Sequence, residues 1–193
     1  MNLCIFGSAS TEIDPLYIET IEQFGEMMVD RGHSLVFGAG GNGLMGAAAR
    51  GVYRKGGYIY GVIPAFFRDE EIEAIFDRCS ELLFTEDMAD RKEAMENRAD
   101  AFVITPGGIG TFEEFFQVLT AKQLGRHTKP IAIYDVNGYY KELIALLDYS
   151  VEHKFVRADC KNLYFVSDNA EEIFHYIEND DQRKRNVKDL KNG

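Results

Sequence analysis

Thr105-Pro106-Gly107-Gly108-Ile109-Gly110-Thr111-Phe112-Glu113-Glu114 follows directly on the apolar run Ala101–Ile104. An apolar run of strand length, a glycine turn and a segment of helical periodicity predict a strand that feeds a helix through a tight loop. A helix start leaves backbone N–H groups unpaired and carries a partial positive charge, so this junction can hold an anion, and the glycines let the backbone approach it closely. Thr111 can add a hydroxyl donor or cap the helix. Glu113 and Glu114 fall in the first turn, where they suit the helix dipole but would repel a bound phosphate unless one of them faces a sugar or a water. An ordinary strand-to-helix turn fits the motif equally well by itself, so other residues must decide.

The same alternation runs along the rest of the chain. Apolar runs at Leu3–Phe6, Ser34–Phe37, Tyr58–Ile63 and Ile131–Tyr134, with a weaker one at Leu163–Val166, read as strands. Segments of helical periodicity lie at Leu16–Arg31, Leu44–Lys55, Asp87–Arg98, Thr111–Leu124, Tyr139–His153 and Asp168–Glu178, with Arg31-Gly32 and Gly56-Gly57 as stops. The pattern predicts an α/β fold: one domain over residues 1–178, a mostly parallel sheet, and helices on both faces. Residues 179–193 are polar and read as a flexible tail whose Arg183-Lys184-Arg185 cluster is a solvated run. In such a sheet ligands bind at the carboxyl ends of the strands, where Gly7–Ser10, Gly38–Gly46 and Pro106–Thr111 all fall.

Composition narrows the partners. The chain has 193 residues, 46% hydrophobic, with 21 Lys and Arg against 32 Asp and Glu, a net charge of −11. That balance opposes a broad nucleic-acid or anionic-membrane surface, although a local basic pocket for one phosphate is compatible with it. The N-terminal apolar run is too short for a signal peptide and no later run approaches membrane-spanning length, so the expected location is cytoplasmic. Cys4, Cys79 and Cys160 are widely spaced and read as reduced thiols, and His33, His127, His153 and His175 lack ligand spacing, so no metal is expected.

Gly38-Ala39-Gly40-Gly41-Asn42-Gly43-Leu44-Met45-Gly46 formally matches the dinucleotide pattern G-x-G-x-x-G. The next strand, however, ends in Pro64 without the acid that would hold a ribose, and no glycine here is followed by the Lys-Ser or Lys-Thr of a P-loop. The loop therefore reads as close backbone packing around a ligand, with purely structural packing as the alternative. On the predicted helix before the Pro106 strand, Arg91 and Lys92 project about 100° apart and need not share a role. Arg91 can offer its planar fork to a phosphate or to charge on a reacting group, and Lys92 a point charge. Met88 and Met95 share one face and suit a core.

Taken together, the Gly38–Gly46 loop, Met88-x-x-Arg91-Lys92-x-x-Met95 and Pro106-Gly107-Gly108-x-Gly110-Thr111-x-x-Glu114 resemble the LOG family of cytokinin riboside 5′-monophosphate phosphoribohydrolases, long labelled "possible lysine decarboxylases". The resemblance extends from about Leu3 to about Phe174 and includes Ala121-Lys122-Gln123-Leu124-Gly125 and Asn137-Gly138-Tyr139-Tyr140-Lys141. It implies a Rossmann-like homodimer, free of cofactor, that hydrolyses the N-glycosidic bond of adenine-type nucleoside 5′-monophosphates to base and ribose 5-phosphate. The family's catalytic arginine falls on Arg91 and its catalytic glutamate on Glu114. Lys92, Gly107, Gly108, Ile109, Gly110, Thr111 and Glu113 fall on nucleotide-contacting positions, and Ser8, Gly40, Gly41 and Met88 complete the expected substrate contacts. Where the family has a shorter connection with an acid soon after the proline, this chain has Ala65-Phe66-Phe67-Arg68-Asp69-Glu70-Glu71. Glu70 and Glu71 read as an exposed, charged helix start rather than as a replacement acid, and a preference for isopentenyl-type over plain adenine nucleotides is not inherited.

The chemistry agrees with these residues. Breaking an N-glycosidic bond builds positive charge on the ribose, which a carboxylate can stabilise while it orients or deprotonates water. Glu114 is given that role, Glu113 the ribose hydroxyls, the Gly107–Thr111 turn the 5′-phosphate, and Arg91 the phosphate or leaving-group charge. The alternative from another class is a nucleotide- or pterin-binding carrier or sensor of the same fold. Lysine decarboxylation would need a marked Schiff-base lysine for pyridoxal phosphate, and a nicotinamide oxidoreductase would need the missing ribose acid.

Overall fold

Alternating side chains along the strands account for the architecture. The computed structural model describes residues 1–70, 73–183, Val187 and Leu190. In chain order its elements are β1 (Asn2–Phe6), α1 (Pro15–Asp30), β2 (Ser34–Phe37), α2 (Gly43–Arg54), β3 (Ile59–Pro64), α3 (Ala65–Asp69), β4 (Glu81–Thr85), α4 (Met88–Arg98), β5 (Ala101–Ile104), α5 (Ile109–Gln123), β6 (Ile131–Tyr134), α6 (Lys141–Glu152), β7 (Phe165–Ser167) and α7 (Ala170–Asn179). Leu3, Ile5, Leu35, Phe37, Ala101 and Val103 face one way, onto Ile21, Phe24 and Met28 of α1, Ala48 and Val52 of α2, and Phe174 of α7. Their neighbours Cys4, Phe6, Val36, Phe102 and Ile104 face the other way, onto Met95 of α4, Phe115 and Val118 of α5, and Tyr140. Strands buried on both faces need helices on both faces, and each fully buried large apolar side chain contributes on the order of 1.5–3 kcal/mol.

The strands pair in the order β4-β3-β2-β1-β5-β6-β7 and every pairing is parallel. The chain winds outward in one direction from β1 to β4 and then in the other from β5 to β7. The direction therefore reverses between β1 and β5, where Leu3 to Phe6 lie beside Ala101 to Ile104. Such a reversal leaves a crevice at the carboxyl ends of the two strands, since their connecting loops run to opposite sides.

Three differences from expectation have physical causes. The edge strand β4 is absent from the sequence reading because it pairs only with β3 and leaves Leu83 and Phe84 more than a third exposed, so its alternation is blurred. Between β3 and β4 the short helix α3 ends, rather than starts, at Glu70, which is its exposed C-cap, while Glu71 lies outside the described residues. In the tail, Leu190 is buried against Cys160 and Leu163, and its carbonyl accepts a hydrogen bond from Gln123 Nε2 at 3.0 Å. Lys184 and Arg185 of the basic cluster lie outside the described residues.

Candidate active site

Two helix starts meet at the crevice, and the chain treats them differently. The first turn of α2 is filled from within: the Ser8 carbonyl accepts from Leu44 N at 2.8 Å and from Met45 N at 3.4 Å. Gly43 makes this possible, with φ +57° and a position where a Cβ would fall 2.3 Å from that carbonyl. Helix α5 begins at Ile109, two residues earlier than its periodicity suggested, behind Gly108, and no side chain caps it. Its first N–H groups have no intrahelical acceptors and are aimed at the crevice, so the anion-accepting end belongs to α5. A Cβ built on Gly108 or Gly110 meets no described atom within 4 Å, so packing does not demand glycine there and the space in front is open.

The turn before α5 is held by Tyr139 and Tyr140 of the Asn137–Lys141 motif. Tyr139 Oη donates to the Gly107 carbonyl at 2.7 Å and the buried Tyr140 Oη to the Thr105 carbonyl at 2.6 Å. Tying carbonyls outward leaves the N–H groups facing the ligand side. Ser8 N donates to the Pro106 carbonyl at 3.0 Å, so the β1 and β5 loops are joined directly. Thr111 is not the cap: it is buried one turn further in, under Gly107.

Arg91 is buried, although it sits on a mostly polar helix capped by Asp87. Its Nε donates to the Val62 carbonyl at 3.3 Å and its Nη2 to the Gly38 carbonyl at 3.4 Å, so the ends of β3 and β2 aim the guanidinium. Met88 Sδ lies 3.8 Å from Nη1 and its side chain is partly exposed beside the arginine, whereas Met95 is core. Gly38 admits this arrangement, because a Cβ there would lie 1.7 Å from Nη2. Glu114, one turn into α5, is pushed up to about 7; burial is the main cause, the Arg91 charge pulls it down, and Glu113 and Glu73 push it up. A carboxyl poised there can exchange a proton near neutral pH. Lys92 Nζ and Glu113 Oε1 pair at 2.6 Å across α4 and α5, which brings these two expected contacts to one another at the rim.

One residue was missed. Glu73, in the segment between α3 and β4, lies against Gly40, where a Cβ would fall 2.3 Å from its Oε1. Burial raises its carboxyl above the usual range against the pull of Arg91. Gly40 and Gly41 thus pack under this segment, with Gly41 N donating to the Ala74 carbonyl at 2.6 Å. Among the described residues no cluster of three or more His, Cys, Asp and Glu side chains could hold a metal, and no helix is long and apolar enough to cross a membrane.

By its strand order and by the edge on which its polar groups gather, this is a Rossmann-like α/β protein with its candidate site at the topological switch point. Residues 45–177 match the family model described as "Possible lysine decarboxylase". The chain is 36% identical over 176 residues to the cytokinin riboside 5′-monophosphate phosphoribohydrolase LOG7 of Arabidopsis thaliana, covering 91% of this chain and 80% of that one. It belongs to the LOG family. The X-ray structure of TM1055 superposes with a TM-score of 0.69 at 20% identity, covering 92% of this chain and 98% of that one. The molybdenum cofactor carrier protein of Chlamydomonas reinhardtii superposes at 0.65 and 17% identity over 92% and 95% of the two chains, a likeness of fold.

Proposed function

We propose that the chain hydrolyses the N-glycosidic bond of adenine-type nucleoside 5′-monophosphates, releasing free base and ribose 5-phosphate without a cofactor. The observation that carries this is the uncapped start of α5 with Glu114 one turn behind it, at about 7. The 5′-phosphate sits on the N–H groups of Gly108 to Thr111, which puts the ribose over the next turn. Glu114 there faces the growing oxocarbenium charge and takes a proton from the attacking water. Arg91 partly offsets the burial that raises Glu114 and meets the negative charge that develops on the departing base, and Ser8, Met88, Lys92 and Glu113 line the approach. Relatives named as phosphoribohydrolases support the reaction class.

A cytoplasmic homodimer is part of the proposal. Ile109 and Phe116 on α5 and Leu146 and Tyr149 on α6 are exposed apolar side chains, Ile109 by 88%. Rows of this kind suit a twin subunit. Light scattering should give twice the 21.9 kDa chain mass, and a monomer would overturn this part.

The activity is tested by incubating the protein with AMP, isopentenyladenosine 5′-monophosphate and their nucleosides, with base and ribose 5-phosphate followed by chromatography. Release from the monophosphates alone, lost in Glu114→Gln, is expected. Ligand kept through purification with no base released would point instead to a carrier, the reading favoured by the fold of the molybdenum cofactor carrier.

A further inference from the structure

Glu73 Oε1 is the buried side-chain polar atom that has no hydrogen-bond partner among the described residues. An orphaned carboxylate oxygen is costly, and natural structures keep few of them without a use. The segment that carries it is firmly placed. Gly41 N donates to the Ala74 carbonyl at 2.6 Å, Phe76 N to the Ala39 carbonyl at 2.8 Å, and Gly40 forms an antiparallel bridge with Ile75. Phe76 is buried and packs edge-on to Phe37, 6.2 Å between ring centres. Ala39, under this bridge, takes φ +59° although it is not glycine, a strained conformation of the kind held at functional sites.

The position of Glu73 follows from the strand order. A phosphate on α5 lies beyond the end of β5, and β1 and β2 come next in the sheet. Two strand spacings, about 10 Å in all, separate the ends of β5 and β2. A nucleoside monophosphate lying along this edge would pass Ser8 at β1 and bring its base toward the end of β2, beside the Glu73 carboxyl that covers Gly40. Glu73 also borders an open cavity of about 500 Å³ with Ala9, Ser10, Thr11, Glu12 and Asn42. That cavity gives room for a planar ring and for what the ring carries. Arg91 pulls on the Glu73 carboxyl and Glu73 pushes on that of Glu114, so the three groups share one electrostatic neighbourhood.

We propose that Glu73 is a further catalytic residue, the acid of the leaving base: its carboxyl donates to ring nitrogen N7 of a 6-aminopurine while its other oxygen accepts from the exocyclic amine. The assignment rests on the phosphoribohydrolase reading and deepens it. As the C1′–N9 bond breaks, its electron pair passes to the base and the Glu73 proton moves to N7. Water attacks C1′ and gives its proton to Glu114, and the two carboxyls re-equilibrate through solvent. Two carboxyl groups thus divide acid and base duties on opposite sides of the bond, as in glycoside hydrolysis. The amine contact selects 6-amino over 6-oxo purines, because a 6-oxo base offers no donor there.

The test compares AMP with 7-deaza-AMP, which lacks the ring nitrogen, on the wild-type chain and on Glu73→Gln. The wild type should lose at least about 100-fold in kcat/KM on the deaza substrate. Glu73→Gln should lose about 10²–10⁴-fold on AMP and show no further loss on 7-deaza-AMP, with Glu73→Asp recovering part of the rate. Equal wild-type rates on the two substrates would overturn the assignment. So would Glu73→Gln within threefold of wild type on AMP, or losses that multiply. Base release by the wild type with an indifferent Glu73→Gln removes Glu73 alone. No release from either substrate by the wild type removes the phosphoribohydrolase reading as well.

Discussion

Replacing Glu114 by glutamine should abolish activity and make the protein more stable, and the second effect has a definite pH dependence. The folded protein holds this carboxyl at about 7, whereas an unperturbed glutamate lies at 4.5. The folded state therefore keeps a proton that the unfolded chain gives up between those values, so stability falls as pH rises through that window. About 2.5 pH units at about 1.36 kcal/mol each make a destabilisation of roughly 3 kcal/mol, complete above pH 8 and nil below pH 4. Glutamine does not titrate and occupies the same volume. At pH 8 the variant should melt some 6–12 °C above wild type, taking about 2–4 °C per kcal/mol for a chain of this size. At pH 4 the two should coincide. Paired thermal melts from pH 4 to pH 8.5, read by circular dichroism, measure the difference curve directly. A difference that stays flat across that range would refute the claim that burial raises Glu114. In the same reasoning, kcat/KM of wild type on AMP should follow a bell, rising at acid pH as Glu114 ionises and falling at alkaline pH as Glu73 gives up the proton it must donate.

Three substitutions of glycine separate the site from the scaffold. Gly38→Ala puts a methyl group 1.7 Å from Arg91 Nη2, so base release should fall by at least about 100-fold, with melting lowered by a few degrees at most if the arginine swings aside. Gly110→Ala meets no described atom and gains up to about 1 kcal/mol of helix propensity; it should melt at or above wild type while its KM for AMP rises several-fold. Gly107→Ala would press on Thr111 Oγ1 at 2.1 Å and on Ser8 N at 3.0 Å, so it should cost about 1–3 kcal/mol in a denaturant titration.

The sheet and its site edge were legible because they depend on local signals. Short β-rich runs such as Ala101–Ile104, followed by a Pro-Gly-Gly turn, have few alternatives to a buried parallel strand, and their carboxyl ends follow from the winding rule. The motif residues Arg91 and Glu114 were found by their place in the family pattern, and the structure sets them in one electrostatic neighbourhood. What stayed hidden depends on contacts between distant segments. β4 shows little alternation because an edge strand buries little. The start of α5 at Ile109 depends on carbonyls tied back by Tyr139 and on the bond from Ser8 to Pro106, which no local pattern records. Glu73 belongs to no motif and faces Gly40 only because the two loops form a bridge.

That bridge has a consequence for how the protein can be altered. In a molecule whose strands all run parallel, the segment from Glu73 to Phe76 is fastened antiparallel to the Gly38–Gly41 turn through main-chain atoms, Gly41 N to Ala74 O and Phe76 N to Ala39 O. Main-chain fastenings do not read side-chain identity. The fold therefore tolerates exchange at position 73, though not at the buried Phe76: the side chain over Gly40 can be replaced without disturbing the α5 start or the tyrosines that brace it. A library aimed at new leaving bases belongs at Ala74 and the cavity residues beside it, with Glu73 kept as the acid and the glycine motifs as the fixed frame.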